Sequence, residues 1–276
     1  MPASSDRLAA CAAEWELRLG DPFSGATQSL AVPGTLPDGT EVVLKLQFPH
    51  RESEHEADAL AEWNGDGAVR LLAHDPDRNA LLLERCVPGT PLSRAGVESA
   101  LDVLIELLPR LWKPVGEPFR TLAEEAAWWV SYLPEQWEDA GRPFERRLLD
   151  AAIEVLETLP GTQGETVLVH QDLHGDNVLR AEREPWLVID PKPLAGEREF
   201  ALAPIVRSGE LGTGRRAVLY RLDRLTAELG LDRERARLWT VGQTIAWGIG
   251  SGASEHHLDV VRCLLGGPGE TTLMPP

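Results

Sequence analysis

The sequence predicts an α+β chain of two lobes, a small β-rich one at the N-terminus and a larger helical one after it. Three observations predict this. Up to about residue 84 the apolar residues fall in short runs separated by turn residues, which is the habit of strands. Val87-Pro88-Gly89-Thr90-Pro91 then interrupts the pattern, because Pro and Gly together end regular structure. Beyond it the apolar spacing is mostly helical. The expected boundaries are 1–86 for the first lobe, 87–91 for a hinge and 92–276 for the second lobe.

Each element has its own signal. Leu8, Cys11, Trp15 and Leu17 suit a helix over 6–20 that runs toward a strand. The small residues Ser24-Gly25-Ala26-Thr27-Gln28-Ser29 read as a turn, followed by a strand at 30–32. Pro37-Asp38-Gly39-Thr40 is a β-turn leading into a β-rich run at 41–46. A helix is expected at 52–63, with Ala57, Leu60 and Trp63 on one face, then strands at 69–72 and 80–83. Helices are expected at 94–112, 120–140, 144–158, 213–230, 232–250 and 255–265. Short β-like runs stand among them at 167–169, 178–180 and 186–189.

Composition narrows the function. Hydrophobic residues make up 43% of the 276-residue chain and charged residues 26%, the balance of a soluble globular protein. The net charge of −17 argues against DNA or RNA as a partner and suits a cationic small-molecule substrate. Cys11, Cys86 and Cys263 are far apart and lack metal-binding spacing, so a reducing cytoplasm is expected. No apolar stretch approaches the roughly 18 residues of a membrane span, so no membrane partner is expected, and the chain is expected to act as a monomer.

The chemistry concentrates in His170-Gln171-Asp172-Leu173-His174-Gly175-Asp176-Asn177 and in Ile189-Asp190. Phosphoryl transfer to a hydroxyl needs a carboxylate to orient the acceptor, oxygen ligands for Mg²⁺ and a cation on the phosphates. Asp172 suits the base, and Asn177 and Asp190 suit the metal. A lone Asp is more often a turn or cap residue; the ordered set of three is what points to a protein-kinase-like catalytic loop. Lys45, within Val42-Val43-Leu44-Lys45-Leu46, matches the phosphate-binding strand lysine, and Lys45, Lys113 and Lys192 are the lysines of the chain. Glu56 is the expected helix partner of Lys45, with Glu52 as the runner-up. Ser24 and Gly25 would cover phosphates through backbone N–H groups. Glu84 and Cys86, in Leu83-Glu84-Arg85-Cys86, stand where backbone groups would read an adenine edge. A nucleotide phosphate donor and Mg²⁺ are therefore the expected cofactors. His170 and His174 suit a bracing role better than zinc, since no third ligand accompanies them. Lys192 either contacts phosphate or pairs with a nearby acid.

At these residues the sequence resembles the aminoglycoside/hydroxyurea antibiotic-resistance kinases, most closely the streptomycin phosphotransferases. The resemblance rests on Val43-Leu44-Lys45-Leu46-Gln47, Gly65-Asp66-Gly67-Ala68-Val69-Arg70-Leu71-Leu72, Leu81-Leu82-Leu83-Glu84-Arg85, the Asp172…Asn177 loop and Glu184-Pro185-Trp186-Leu187-Val188-Ile189-Asp190-Pro191-Lys192-Pro193. It implies an aminoglycoside-phosphotransferase fold and transfer of the γ-phosphate of ATP to an antibiotic hydroxyl. Gln171, Asp176 and Ala201 depart from the family pattern, the last where a Phe-Asp-Leu sequence is expected. Carboxylates bind guanidinium groups in two-point fashion, so Glu135, Asp139, Glu197, Glu199 and Glu255 are candidate substrate contacts. Trp128, Trp129 and Trp247 are candidate walls of the substrate site or members of a helical core.

Overall fold

The computed structural model describes residues 4–23, 29–250 and 254–266. Along the chain run α1 (Ser4–Glu14), β1 (Arg18–Leu19), β2 (Ser29–Thr35), β3 (Glu41–Gln47), α2 (Glu56–Trp63), β4 (Leu71–Asp75) and β5 (Ala80–Glu84). Then come α3 (Val97–Leu111), α4 (Leu122–Asp139), α5 (Arg146–Thr158), β6 (Val167–His170), β7 (Val178–Arg180), β8 (Trp186–Val188) and β9 (Pro193–Gly196). The chain continues with α6 (Ala203–Val206), α7 (Arg215–Leu229), α8 (Arg233–Gly250) and α9 (Glu255–Leu264). The expected helix over 52–63 begins only at Glu56. Before it, His50 caps a tight 3₁₀ turn, Arg51–Ser53, by accepting from the Glu52 amide. At 120–140 the expected helix does form, because Thr121 and Glu124 close a reciprocal capping box at its start.

The chain packs as two compact units. One comprises the described residues up to Leu92 together with Asp176–Pro193; the other comprises Ser93–Gly175 and the described residues from Leu194 onward. The pattern of the sequence places all of 92–276 in the second lobe. Asp176–Pro193 packs in the first unit because its hairpin is tied there by backbone hydrogen bonds. Val69 N donates to Val188 O and Val188 N to Gly67 O, while Gly89 N donates to Arg180 O and Arg180 N to Thr90 O.

In the first unit the sheet order is β1-β2-β3-β5-β4, with antiparallel neighbours throughout. Strand β3 lies inside this sheet, with Lys45 opposite Ala31 on one side and Leu81 on the other. The cluster of Cys11, Leu44, Leu46 and Ala80, with Leu8, Trp15 and Leu30 around it, seats α1 against the sheet. Strands β7 and β8 form a hairpin with Val178 opposite Val188.

In the second unit, Trp129, Phe200 and Trp239 form an aromatic core, with ring centroids 6.3 and 5.4 Å apart in succession. Ala201 is fully buried between two buried neighbours, Phe200 and Leu202. A buried guanidinium, Arg221, donates to the carbonyls of Val206, Leu211 and Gly212 and so fixes the turn after α6.

Candidate active site

In the first unit, period-two alternation sends the side chains of Lys45 and Gln47 to the same face of β3. Glu56, in the first turn of α2, is fully buried and accepts from Lys45 Nζ at 2.6 and 2.7 Å through its two oxygens. Gln47 Nε2 donates to the same carboxylate at 2.7 Å and to Ser53 O at 3.2 Å, which holds Glu56 in place. Lys45 also donates to Asp190 Oδ1, and Lys192 Nζ reaches the same oxygen at 3.1 Å. Burial disfavours the charged form of Lys45, but Glu56 and then Asp190 outweigh it and raise its pKa. Burial likewise disfavours the Asp190 carboxylate, yet Lys45 and then Lys192 hold its pKa at about 2.

Asn177 and Asp190 lie at the same end of the β7–β8 hairpin, where Ile189 N donates to Asn177 O at 2.9 Å. Asp190 adopts φ 52°, a left-handed conformation that Asp and Asn tolerate better than most residues. One amide oxygen and one carboxylate held ionised fit Mg²⁺, which takes few protein ligands and completes its shell with water and phosphate.

In the second unit, the loop after β6 carries Asp172, whose amide donates to His170 Nδ1 at 3.1 Å. Arg207 Nη2 lies 3.6 Å from Asp172 Oδ1, and His174 Nε2 lies 4.0 Å from Oδ2. His174 Nδ1 is 3.2 Å from Glu210, and the Gly175 amide also donates to Glu210. Burial would raise the Glu210 pKa, but His174 and then the Gly175 amide bring it down. Glycine is required at 175, since a Cβ there would come within 2.9 Å of Ser93 N.

A family model described as aminoglycoside/hydroxyurea antibiotic resistance kinase matches residues 15–257. The chain belongs to that family. As a member of these kinases it is 40% identical over 277 residues to a hydroxyurea phosphotransferase of Kitasatospora aureofaciens, covering 95% of this chain and 79% of that one. It is 41% identical over 252 residues to a streptomycin 6-kinase of Streptomyces glaucescens, covering 87% and 81% of the two chains. In fold it is similar to the choline kinase of Streptococcus pneumoniae, with a TM-score of 0.68, 14% identity and coverage of 95% and 99%. It is also similar to an aminoglycoside phosphotransferase solved with ADP and hygromycin B, with a TM-score of 0.63, 13% identity and coverage of 95% and 99%.

Several residues chosen from the sequence of this antibiotic-resistance kinase have other duties. Glu197 is fully buried, takes the Trp239 indole N–H, and pairs with Arg235 Nε at 2.6 Å, the position of a core ion-pair acceptor. Glu199 accepts from the Asp232 amide at 3.3 Å. Glu135 and Asp139 are exposed on α4, and Glu255 is paired with Arg262 on α9. Trp129 is core, Trp128 is an exposed residue of α4, and Trp247 lies under the Arg207 guanidinium at 4.8 Å. Glu84 is gripped by Arg183 at 2.7 and 2.9 Å, and its amide donates to Arg70 O at 3.0 Å. Burial, and then Glu84, push the Cys86 thiol up to about 12. Ser24 and Gly25 lie outside the described residues.

Sequence reading missed Gln47, Arg207 and Gln243. Gln47 was findable as the residue two past Lys45 on one strand. Arg207 and Gln243 carry no motif; only packing brings them to the loop.

Proposed function

We propose that the chain transfers the γ-phosphoryl group of ATP to a hydroxyl of a small cationic antibiotic, with the 6-hydroxyl of streptomycin as the first acceptor to test. The observation that carries this reading is the closed cluster of Lys45, Glu56 and Asp190 within one unit. Lys45, oriented by Glu56, would fix the donor phosphates. Asp190 and Asn177 would hold Mg²⁺, which when bound neutralises phosphate charge. Asp172 would orient the acceptor hydroxyl and take its proton, while the new bond to phosphorus forms at that oxygen and the bond from the γ-phosphorus to the bridging oxygen breaks, releasing ADP. The net charge of −17 favours a cationic acceptor, and Cys11 and Cys86 carry free thiols, which suits a reducing cytoplasm.

A second reading keeps the chemistry and changes the acceptor to hydroxyurea. It is favoured by the relative of that name, which aligns with 95% of this chain. The test is ADP release with Mg²⁺ and ATP across streptomycin, other aminoglycosides, hydroxyurea and amino sugars. The highest kcat/KM is expected for streptomycin, with phosphorus NMR locating the ester at the 6-position. Nucleotide binding without turnover on any acceptor would overturn the proposal.

A further inference from the structure

We propose that Arg207, clamped between Gln243 and Trp247, is a positioning residue that fixes the Asp172 carboxylate for proton acceptance. This rests on the reading of Asp172 as the base. Arg207 is only 6% exposed, and burying a guanidinium is costly unless its charge and its N–H groups find partners. Its partners are specific. Nη1 donates to Gln243 Oε1 at 2.6 Å, the plane lies over the Trp247 ring at 4.8 Å, and Nη2 faces Asp172 Oδ1 at 3.6 Å.

Gln243 is itself fully buried, and its Nε2 donates to the carbonyl of Gln171 at 2.8 Å. One amide therefore grips both the backbone immediately before the base and the cation beside the base. Among the described residues the Gln171 side-chain amide makes no hydrogen bond, so Gln171 is anchored through this carbonyl. At 3.6 Å the guanidinium faces the carboxylate and holds it by charge. An acceptor hydroxyl can then donate to an oriented anion. The proton passes from that hydroxyl to Asp172, and Arg207 stays protonated throughout.

Other titratable groups surround this pair. His170 and His174 flank Asp172 on its own loop, and Glu210 follows Arg207. From α9, His256 Nε2 lies 2.8 Å from the Arg207 carbonyl. Burial, then Arg207, then His256, lower the neighbouring His257 to about 4, so it adds no second positive charge near neutrality.

The test compares Arg207→Met, Arg207→Lys and Asp172→Asn in the full-length enzyme. The readouts are kcat, KM for ATP, thermal melting and the pH profile of kcat/KM. For Arg207→Met the expectation is a kcat about 10- to 100-fold lower, an unchanged KM for ATP, and an acid limb moved up by about one pH unit. Arg207→Lys keeps the charge but not the fork, so it should lower kcat with the acid limb near its wild-type position. A folded Arg207→Met enzyme with an unmoved acid limb overturns the inference. If that variant does not fold, wild-type kcat in Arg207→Lys overturns it. Asp172→Asn should be inactive; retained activity there would sink the base assignment and this inference together. An unmoved limb in Arg207→Met beside an inactive Asp172→Asn sinks the inference alone.

Discussion

Glu56 closes both of its carboxylate oxygens on the Lys45 ammonium, at 2.6 and 2.7 Å, from a fully buried position in the first turn of α2. Removing one member of a buried pair strands the other and costs about 3–5 kcal/mol. Asp190 remains beside Lys45, so the lower end applies to Glu56→Ala, about 3 kcal/mol by urea denaturation. With Lys45 no longer oriented, ATP affinity should fall by about tenfold or more, read by calorimetry. Unchanged affinity would remove Lys45 from the phosphate site.

Asp190→Asn should act differently. It keeps the shape of the side chain and removes the charge that Lys45 and Lys192 share. The Mg²⁺ concentration needed for half-maximal turnover should rise by at least about tenfold. Because the Asp190 pKa sits at about 2 and not at 3.8, its ion pairs contribute stability above the higher value. That contribution is lost as pH falls toward 2, and the variant should show a flatter acid limb in its denaturation curve. An unaltered Mg²⁺ requirement would count against the metal-ligand role.

Arg183 tests a structural claim. Its guanidinium bonds Glu84 twice, Glu184 once, and the carbonyls of Gly65 and Ala68 at 2.9 Å each. Arg183→Ala leaves the half-buried Glu84 without that partner, and a loss of about 2–3 kcal/mol is expected. The pKa of Glu84, now lowered chiefly by Arg183 against the pull of burial, should rise. A melting temperature equal to that of the parent would refute a structural role for Arg183.

His257 gives stability a pH signature. Its folded pKa of about 4 lies below the ordinary histidine value of 6.5, because burial and then Arg207 disfavour its charge. Between those values the unfolded chain binds the extra proton, so stability rises with pH through that window and is complete above 6.5. The span corresponds to on the order of 2 kcal/mol once partial exposure is allowed for. His257→Asn should flatten the slope between pH 4 and 6.5 in chemical denaturation. A slope identical to wild type would show that the ring is not held neutral.

Much of this was legible because it is local. Alternation through Val42–Leu46 set Lys45 on a strand, and the Pro-Gly break marked the end of the first run of strands. Glu56 stood out from its acidic neighbours only by its spacing to Leu60 and Trp63, all three of which are buried on α2. What stayed hidden depends on distant partners. Glu197 looked like an available acid, but Arg235 and Trp239, far along the chain, claim it. Arg207 follows a four-residue helix with no amphipathic pattern to read, and its neighbour Gln243 comes from the middle of α8. The strand at Pro193–Gly196 is not legible because it is four residues long, begins on a proline and ends on a glycine.

Three peptide links join the two packing units: Leu92 to Ser93, Gly175 to Asp176, and Pro193 to Leu194. Lys45, Glu56, Asn177, Asp190 and Lys192 all fall in one of them, and Asp172, Arg207 and Gln243 in the other. Mutational drift is thereby partitioned. Substitutions that reshape or recharge residues 93–175 and 194–266 leave the side chains that hold the Lys45 cluster together as they are. A lineage of such kinases can vary the second unit while inheriting the Lys45 cluster unaltered.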